Sequence, residues 1–216
     1  MQLTWKEAFG SKKFLAYLGI WALGIVLFVL PLPYYFNEVI QPKPGVQVMD
    51  PIHDLLVPVN WSVEILILIF GAPILFLLSN YKSPQTILLT LQCYVVISLL
   101  RMISVYLFTL EAPDGIIPLV DPFLTKVVYG NIVYVKDLFF SGHTSIMFLV
   151  FLIERKKPLK VILGISTFFV ALFLIWQRVH YSIDILGAIF VTWFVYAGLS
   201  RWNNKIDFRN KVIGNK

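Results

Sequence analysis

Apolar residues run through this chain in long uninterrupted blocks, broken by short polar joints. Six blocks reach or approach the roughly 20 residues that a helix needs to cross a bilayer. They cover 14–31, 62–79, 86–109, 139–154, 161–177 and 183–200. None alternates with the period of a barrel strand, and open backbone is not viable against lipid, so all six are predicted to be helices. The fourth and fifth are the shortest. The expected fold is all-α: a polytopic membrane protein built as a six-transmembrane-helix bundle. Its expected domains are a cytoplasmic N-terminal segment (1–13), the membrane domain (14–200) and a basic cytoplasmic tail (201–216).

Composition agrees with the pattern. Hydrophobic residues make up 58% of the 216 and charged ones only 14%, against about 25% charged in a soluble domain. There is no room for a second sizeable domain, and no internal repeat. The first block follows a basic segment, as a secretion signal would, but it runs into Pro31-Leu-Pro33 without a small-residue cleavage pattern, so it is read as a retained span. The lone cysteine, Cys93, lies inside an apolar block and is read as a packing residue.

The net charge of +6 does not signal nucleic acid, because the basic residues sort with the joints. The N-terminus, the 80–85 and 154–160 turns and the tail hold 13 of the 18 Lys and Arg. The other three connections hold most acids, including Glu38, Asp50, Asp54, Glu111, Asp114, Asp121 and Asp137. Six spans put the two sets on opposite sides. The positive-inside rule then places both termini in the cytoplasm and all three histidines on the extracytoplasmic face.

Two polar clusters sit beside apolar blocks, where ionisable groups are costly and functional by default. One is Asp137-Leu-Phe-Phe-Ser141-Gly142-His143-Thr144; the other is His180-Tyr181-Ser182-Ile183-Asp184. If the last span starts near His180, His180 and Asp184 share a helical face, about 6 Å apart along the axis. A carboxylate on one imidazole nitrogen fixes the tautomer and leaves the other basic; the alternative is an Asp that merely favours the helix dipole. Ser141 is a natural N-cap, Gly142 permits close approach of a ligand, and a helix start suits a phosphate. His143 in that first turn could protonate a leaving oxygen; simple capping is the alternative. Arg101, inside the third block, must meet an anion or snorkel outward: a phosphate clamp or an ion pair with a structural acid. Arg178 is a second clamp candidate or an interfacial anchor. Tyr106 suits an interfacial belt, and His53 and Asp54 fall in a loop where a histidine is usually inert.

Taken together, these motifs resemble the type 2 phosphatidic acid phosphatase superfamily, and within it the sphingomyelin synthase-like branch. The branch pattern is Asp-x3-Ser-Gly-His-Thr, matched by Asp137 through Thr144, and His-Tyr-x-x-Asp, matched by His180, Tyr181 and Asp184. An arginine-led segment running into a Thr-Leu-x-x-Pro turn matches Arg101 through Pro113. A Pro-x-x-Asp motif matches Pro51 and Asp54, with Ile52-His53 where the family usually has Leu-Pro. The phosphatases' Lys-x6-Arg-Pro motif is absent, and Leu174 stands where they place an arginine six residues before the second histidine; both departures favour the synthase-like branch.

The resemblance implies headgroup transfer from a phospholipid donor to a lipid alcohol such as ceramide, through a phosphohistidine. His180 would be the nucleophile, Asp184 its orienting group and His143 the acid and base. Arg101, Arg178, Ser141, Gly142, Tyr106, Asp137 and Asp54 would bind substrate. No cofactor, metal or nucleic acid is implied. The short tails suggest a bacterial plasma membrane. A lipid phosphate phosphatase, with water as the acceptor, uses the same residues; a non-enzymatic transporter or scramblase is the third reading.

Overall fold

The computed structural model describes residues 3–120, 134–206 and 208, and it is helical. A short α1 (Trp5–Gly10) is capped by Thr4 and leads into α2 (Lys12–Val29), whose N-cap is Ser11. Pro31 has no N–H to continue the helical ladder. The chain restarts as α3 (Leu32–Tyr34) and a π-helical turn, Tyr35–Ile40. Then come α4 (Pro51–Leu55), α5 (Ser62–Asn80), α6 (Pro84–Leu107), α7 (Gly142–Ile153), α8 (Lys157–Trp176) and α9 (Ser182–Asn204). Pro51, Pro84 and Pro158 all occupy first-turn positions, where a missing N–H costs nothing.

Among the described residues, five helical stretches are long and apolar enough to cross a membrane: Lys12–Ile40, Ser62–Asn80, Pro84–Leu107, Lys157–Trp176 and Ser182–Asn204. Their outward faces carry exposed Ile20, Leu23, Leu27, Ile67, Leu78, Phe168, Phe190 and Phe194. Such continuous apolar surface calls for lipid as its solvent, and the chain is a multi-pass membrane protein. The sixth expected span is different. The reading of 139–154 as helix is corrected to Gly142–Ile153, 12 residues or about 18 Å. Residues 134–141 are not helical. This is physically acceptable because α7 is not a lipid-facing element. It packs against α5, α6, α8 and α9 and buries Thr144, Ser145, Met147, Leu149, Val150 and Ile153. Irregular backbone at that depth is tolerated where protein covers it.

The main core lies around α7, with Phe76, Cys93, Ile97, Phe140, Met147, Val170, Leu174 and Ala188 among its buried members. The bundle has two distinct ends. One gathers the starts of α7 and α9, the ends of α6 and α8, and the α4 loop; it is called the site end below. The far end gathers the turns at 80–85 and 154–160. There the fully buried Glu154 accepts from the Asn80 amide and from the N–H groups of Arg155 and Lys156, each at 2.8 Å. The N-terminal segment also folds onto this end. The Trp5 indole donates to the Tyr81 carbonyl, and Phe14 meets Phe208 edge-on at 5.8 Å. Asp121 and the tail residues Arg209, Lys211 and Lys216, which enter the charge pattern, lie outside the described residues.

Candidate functional site

The turn between α8 and α9 carries the second histidine motif. Gln177 ends α8, and Arg178 follows in the left-handed region (φ 59°). That conformation costs an arginine on the order of 1 kcal/mol. It lets the next two N–H groups, of Val179 and His180, turn back onto the Leu174 carbonyl at 2.9 and 3.2 Å. His180 therefore precedes α9 instead of lying on it. The expectation of a shared helical face is corrected: Asp184, in the first turn of α9, folds back toward the turn. Its Oδ2 accepts from the Tyr181 N–H at 3.0 Å and meets His180 Nδ1 at 3.2 Å. Both side chains are enclosed, at 3% and 0% exposure. Asp184 Oδ1 is buried with no hydrogen-bond partner among the described residues. With Nδ1 held by a carboxylate, Nε2 is the ring nitrogen left with a lone pair.

The first histidine motif meets this turn through the backbone. The Ser141 N–H donates to the Asp184 carbonyl at 3.2 Å, joining the start of α7 to the start of α9. Ser141 also caps α7, its Oγ accepting from the Thr144 N–H at 3.3 Å, and its carbonyl takes the Ser145 hydroxyl at 2.8 Å. Gly187 gives passage to the approaching segment: a Cβ there would lie 3.1 Å from the Phe139 ring and 3.2 Å from Phe140 Cβ. His143, half-buried, sits in the first turn of α7 beside this junction.

Arg101 reaches the same place from α6. Its Nε donates to the Phe140 carbonyl at 2.8 Å. One terminal nitrogen pairs with Asp137 Oδ1 at 2.6 Å and reaches the Asp137 carbonyl at 3.2 Å. The guanidinium lies against Gly142, whose added Cβ would sit 3.1 Å from Nε and 3.2 Å from Cζ. Of the two readings of Arg101, the structure shows the ion pair, with Asp137, laid against the start of α7. A helix start and a guanidinium together attract an anion.

Other predicted site residues are placed differently. The Arg178 guanidinium is bonded to main-chain carbonyls, of Asp114 at 2.7 Å and of His53 and Leu56 at 2.8 and 3.3 Å. It acts as a loop staple. Tyr106 is exposed, with the Lys43 ammonium 4.0 Å from its ring centroid. Asp54 is exposed on α4. Its neighbour His53, expected in an exposed loop, is instead buried against His180 and Tyr181.

Sequence reasoning missed Asp50 and Gln177. Asp50 caps α4 and also receives Ser182; its signal was an Asp directly before a Pro at a helix start. Gln177, wholly buried, accepts from the Trp61 N–H and donates to Ser62 and to the Ile117 carbonyl, tying three segments together. Nothing in its local sequence marks it.

The electrostatics of this end favour fixed charges. Burial pushes the Asp50 carboxyl up, but N–H donors from Ser182 and Ile52 and the Ser182 hydroxyl outweigh it, leaving the pKa below the ordinary carboxylate value. The Lys136 ammonium, 2.8 Å away, and the Gly45 N–H hold Glu111 low as well. Burial raises the Tyr181 phenol, whose O–H donates to the Glu111 carbonyl.

No match to the chain was found among curated proteins. Residues 136–201, which contain Asp137, Ser141, Gly142, His143, His180 and Asp184, match the family model described as PAP2 superfamily C-terminal, and this match supports the type 2 phosphatidic acid phosphatase superfamily.

Proposed function

We propose that this protein is an integral-membrane lipid phosphotransferase that moves a phospho-headgroup from a glycerophospholipid to a lipid alcohol such as ceramide. The observation that carries the reading is the enclosed His180–Asp184 pair fastened by backbone to the start of α7. A carboxylate-held imidazole is an activated nucleophile. Beside it lie a helix N-terminus and Arg101, which stabilise negative charge developing on phosphorus. His180 Nε2 attacks phosphorus, and the bond to the diacylglycerol oxygen breaks as His143 gives that oxygen a proton. The acceptor hydroxyl then attacks the same phosphorus and passes its proton to His143. The N–P bond breaks and His180 is restored. The positive-inside pattern puts this chemistry at the extracytoplasmic face, with both termini in the cytoplasm.

The absent Lys-x6-Arg-Pro motif favours transfer over hydrolysis. The second reading, a lipid phosphate phosphatase, uses the same three residues with water as acceptor. Purified protein given a phospholipid labelled in its headgroup phosphate, with and without ceramide, separates them. Transfer places label in a new lipid only when ceramide is present. Label in free phosphate or free headgroup alone rejects transfer.

A further inference from the structure

We infer that the segment Asp50–Leu56 is a clip that positions the nucleophile, with His53 as its working residue; the inference rests on the reading of His180 as the attacking group. The turn 177–181 needs an external hold. The His180 carbonyl precedes α9 and lies outside its hydrogen-bond ladder, yet it is buried with its residue. A buried carbonyl without a donor is costly. His53 Nε2–H supplies that donor at 3.2 Å from a position 127 residues earlier in the chain.

The neighbours of His180 are gripped by the same segment. The His53 ring stacks on Tyr181, with centroids 5.6 Å apart and planes 28° apart. Asp50 Oδ2 accepts from the Ser182 N–H at 2.5 Å, and Oδ1 accepts from the Ser182 hydroxyl at 3.0 Å. Ser182 is the first residue of α9, so Asp50 satisfies a donor that the helix leaves open. In return, Arg178 donates to the carbonyls of His53 and Leu56. Positions 178, 180, 181 and 182 are all held, and the nucleophile lies among them.

This arrangement also divides labour between the two helix starts. Asp50 already occupies the α9 start with a carboxylate, which would repel a phosphate. The α7 start is capped by the Ser141 hydroxyl instead, and the nearby Asp137 carboxylate is paired with Arg101, so a phosphate meets less repulsion there. His53 touches no reacting atom in this scheme. It acts through the His180 main chain, and an error of about 1 Å in the nucleophile's place costs roughly 10²-fold in rate.

The test compares His53→Phe, which keeps a ring on Tyr181 but loses the donor, with His53→Gln, whose amide can donate from the same reach. Each full-length variant is assayed in lipid nanodiscs for kcat, KM and the single-turnover rate of label transfer onto His180. Deuterium uptake over 177–184 is measured without substrate. The clip predicts that H53F loses about 10–100-fold in kcat with KM within about twofold, while H53Q stays within about threefold of wild type. It also predicts faster uptake over 177–184 in H53F only. Wild-type kcat in H53F overturns the clip, as does an equal loss in both variants with a lowered melting temperature, which marks a ring needed only for folding. If the wild-type protein transfers no label at all, the phosphotransfer reading fails, and the clip is judged by exchange alone: unchanged uptake in H53F overturns it.

Discussion

Asp184→Asn removes the charge beside the His180 ring while conserving size. The carboxylate Oδ2 receives both the Tyr181 N–H and His180 Nδ1, and an asparagine oxygen can keep the first contact. What it cannot do is stabilise positive charge on the imidazole as a bond forms at Nε2. Unit charges about 4 Å apart interact by about 4 kcal/mol at an effective dielectric near 20. At 1.36 kcal/mol per decade this is roughly a 10³-fold loss in rate. The cost falls on the transition state, so kcat drops while KM moves little. Asparagine also places an NH₂ where buried Oδ1 has no partner among the described residues, and a modest fall in melting temperature accompanies the variant. The assay is single-turnover transfer from a headgroup-labelled phospholipid, with detergent-solubilised melting as the control for folding. A D184N protein that melts near wild type and turns over within tenfold of it would refute the reasoning, because the carboxylate would then be only a cap for α9.

Four further outcomes are expected. Gly142→Ala drives a Cβ to 3.1 Å from Arg101 Nε, and the guanidinium cannot yield easily because Phe140 and Asp137 hold it. Losing one such charge-assisted bond is worth about 1.5–3 kcal/mol, so turnover falls at least tenfold, and Gly142→Ala at wild-type rate would show that the contact is slack. Asp50 has a folded-state pKa below its ordinary value, so it stabilises the fold above about pH 4 and that contribution is lost as pH falls through the lowered value. Unfolding midpoints of wild type and D50N should therefore differ by a constant amount between pH 5 and 7 and converge in more acid buffer; a gap that persists at the acid end contradicts the sign. Glu154→Ala removes the acceptor of two N–H groups and one of two acceptors of the Asn80 amide, which also donates to the Phe76 carbonyl. It should lower the melting temperature while the folded fraction keeps kcat within about threefold, since hydrogen bonds to charged groups stabilise by about 1.5–3 kcal/mol each. A cysteine placed in the 154–160 turn should react with an impermeant maleimide only from the cytoplasmic side; labelling from outside would invert the topology.

Much of the architecture was legible because lipid imposes a simple rule. Blocks of apolar residues become helices, and Ser, Thr, Pro and Asp at their edges cap or start them, as Ser141 and Pro84 do. The exception is instructive. Leu138, Phe139 and Phe140 are as apolar as any helix, and periodicity alone extends α7 through them, yet Leu138 and Phe140 are buried in irregular backbone, with Phe139 and Phe140 against Gly187. Nothing local distinguishes such residues from a lipid-facing turn. The two histidine motifs were legible through residue type and spacing, but their joining through Ser141 and Asp184 depends on contacts across the bundle. His53 and Arg178 show the same limit from the other side. Polar loop composition pointed to exposure and to a phosphate clamp. Docking of one loop on another instead buries the histidine ring and commits the guanidinium to carbonyls.

The central claim is that one buried imidazole carries the phosphorus between two lipids. The direct measurement is to quench a reaction with headgroup-phosphate-labelled phospholipid within one turnover and map the label retained on the protein. The account predicts an acid-labile, base-stable adduct on His180, absent in His180→Ala and discharged into lipid when ceramide is added. Transfer at the wild-type rate with no label on the protein, or with the label on another residue, would contradict it.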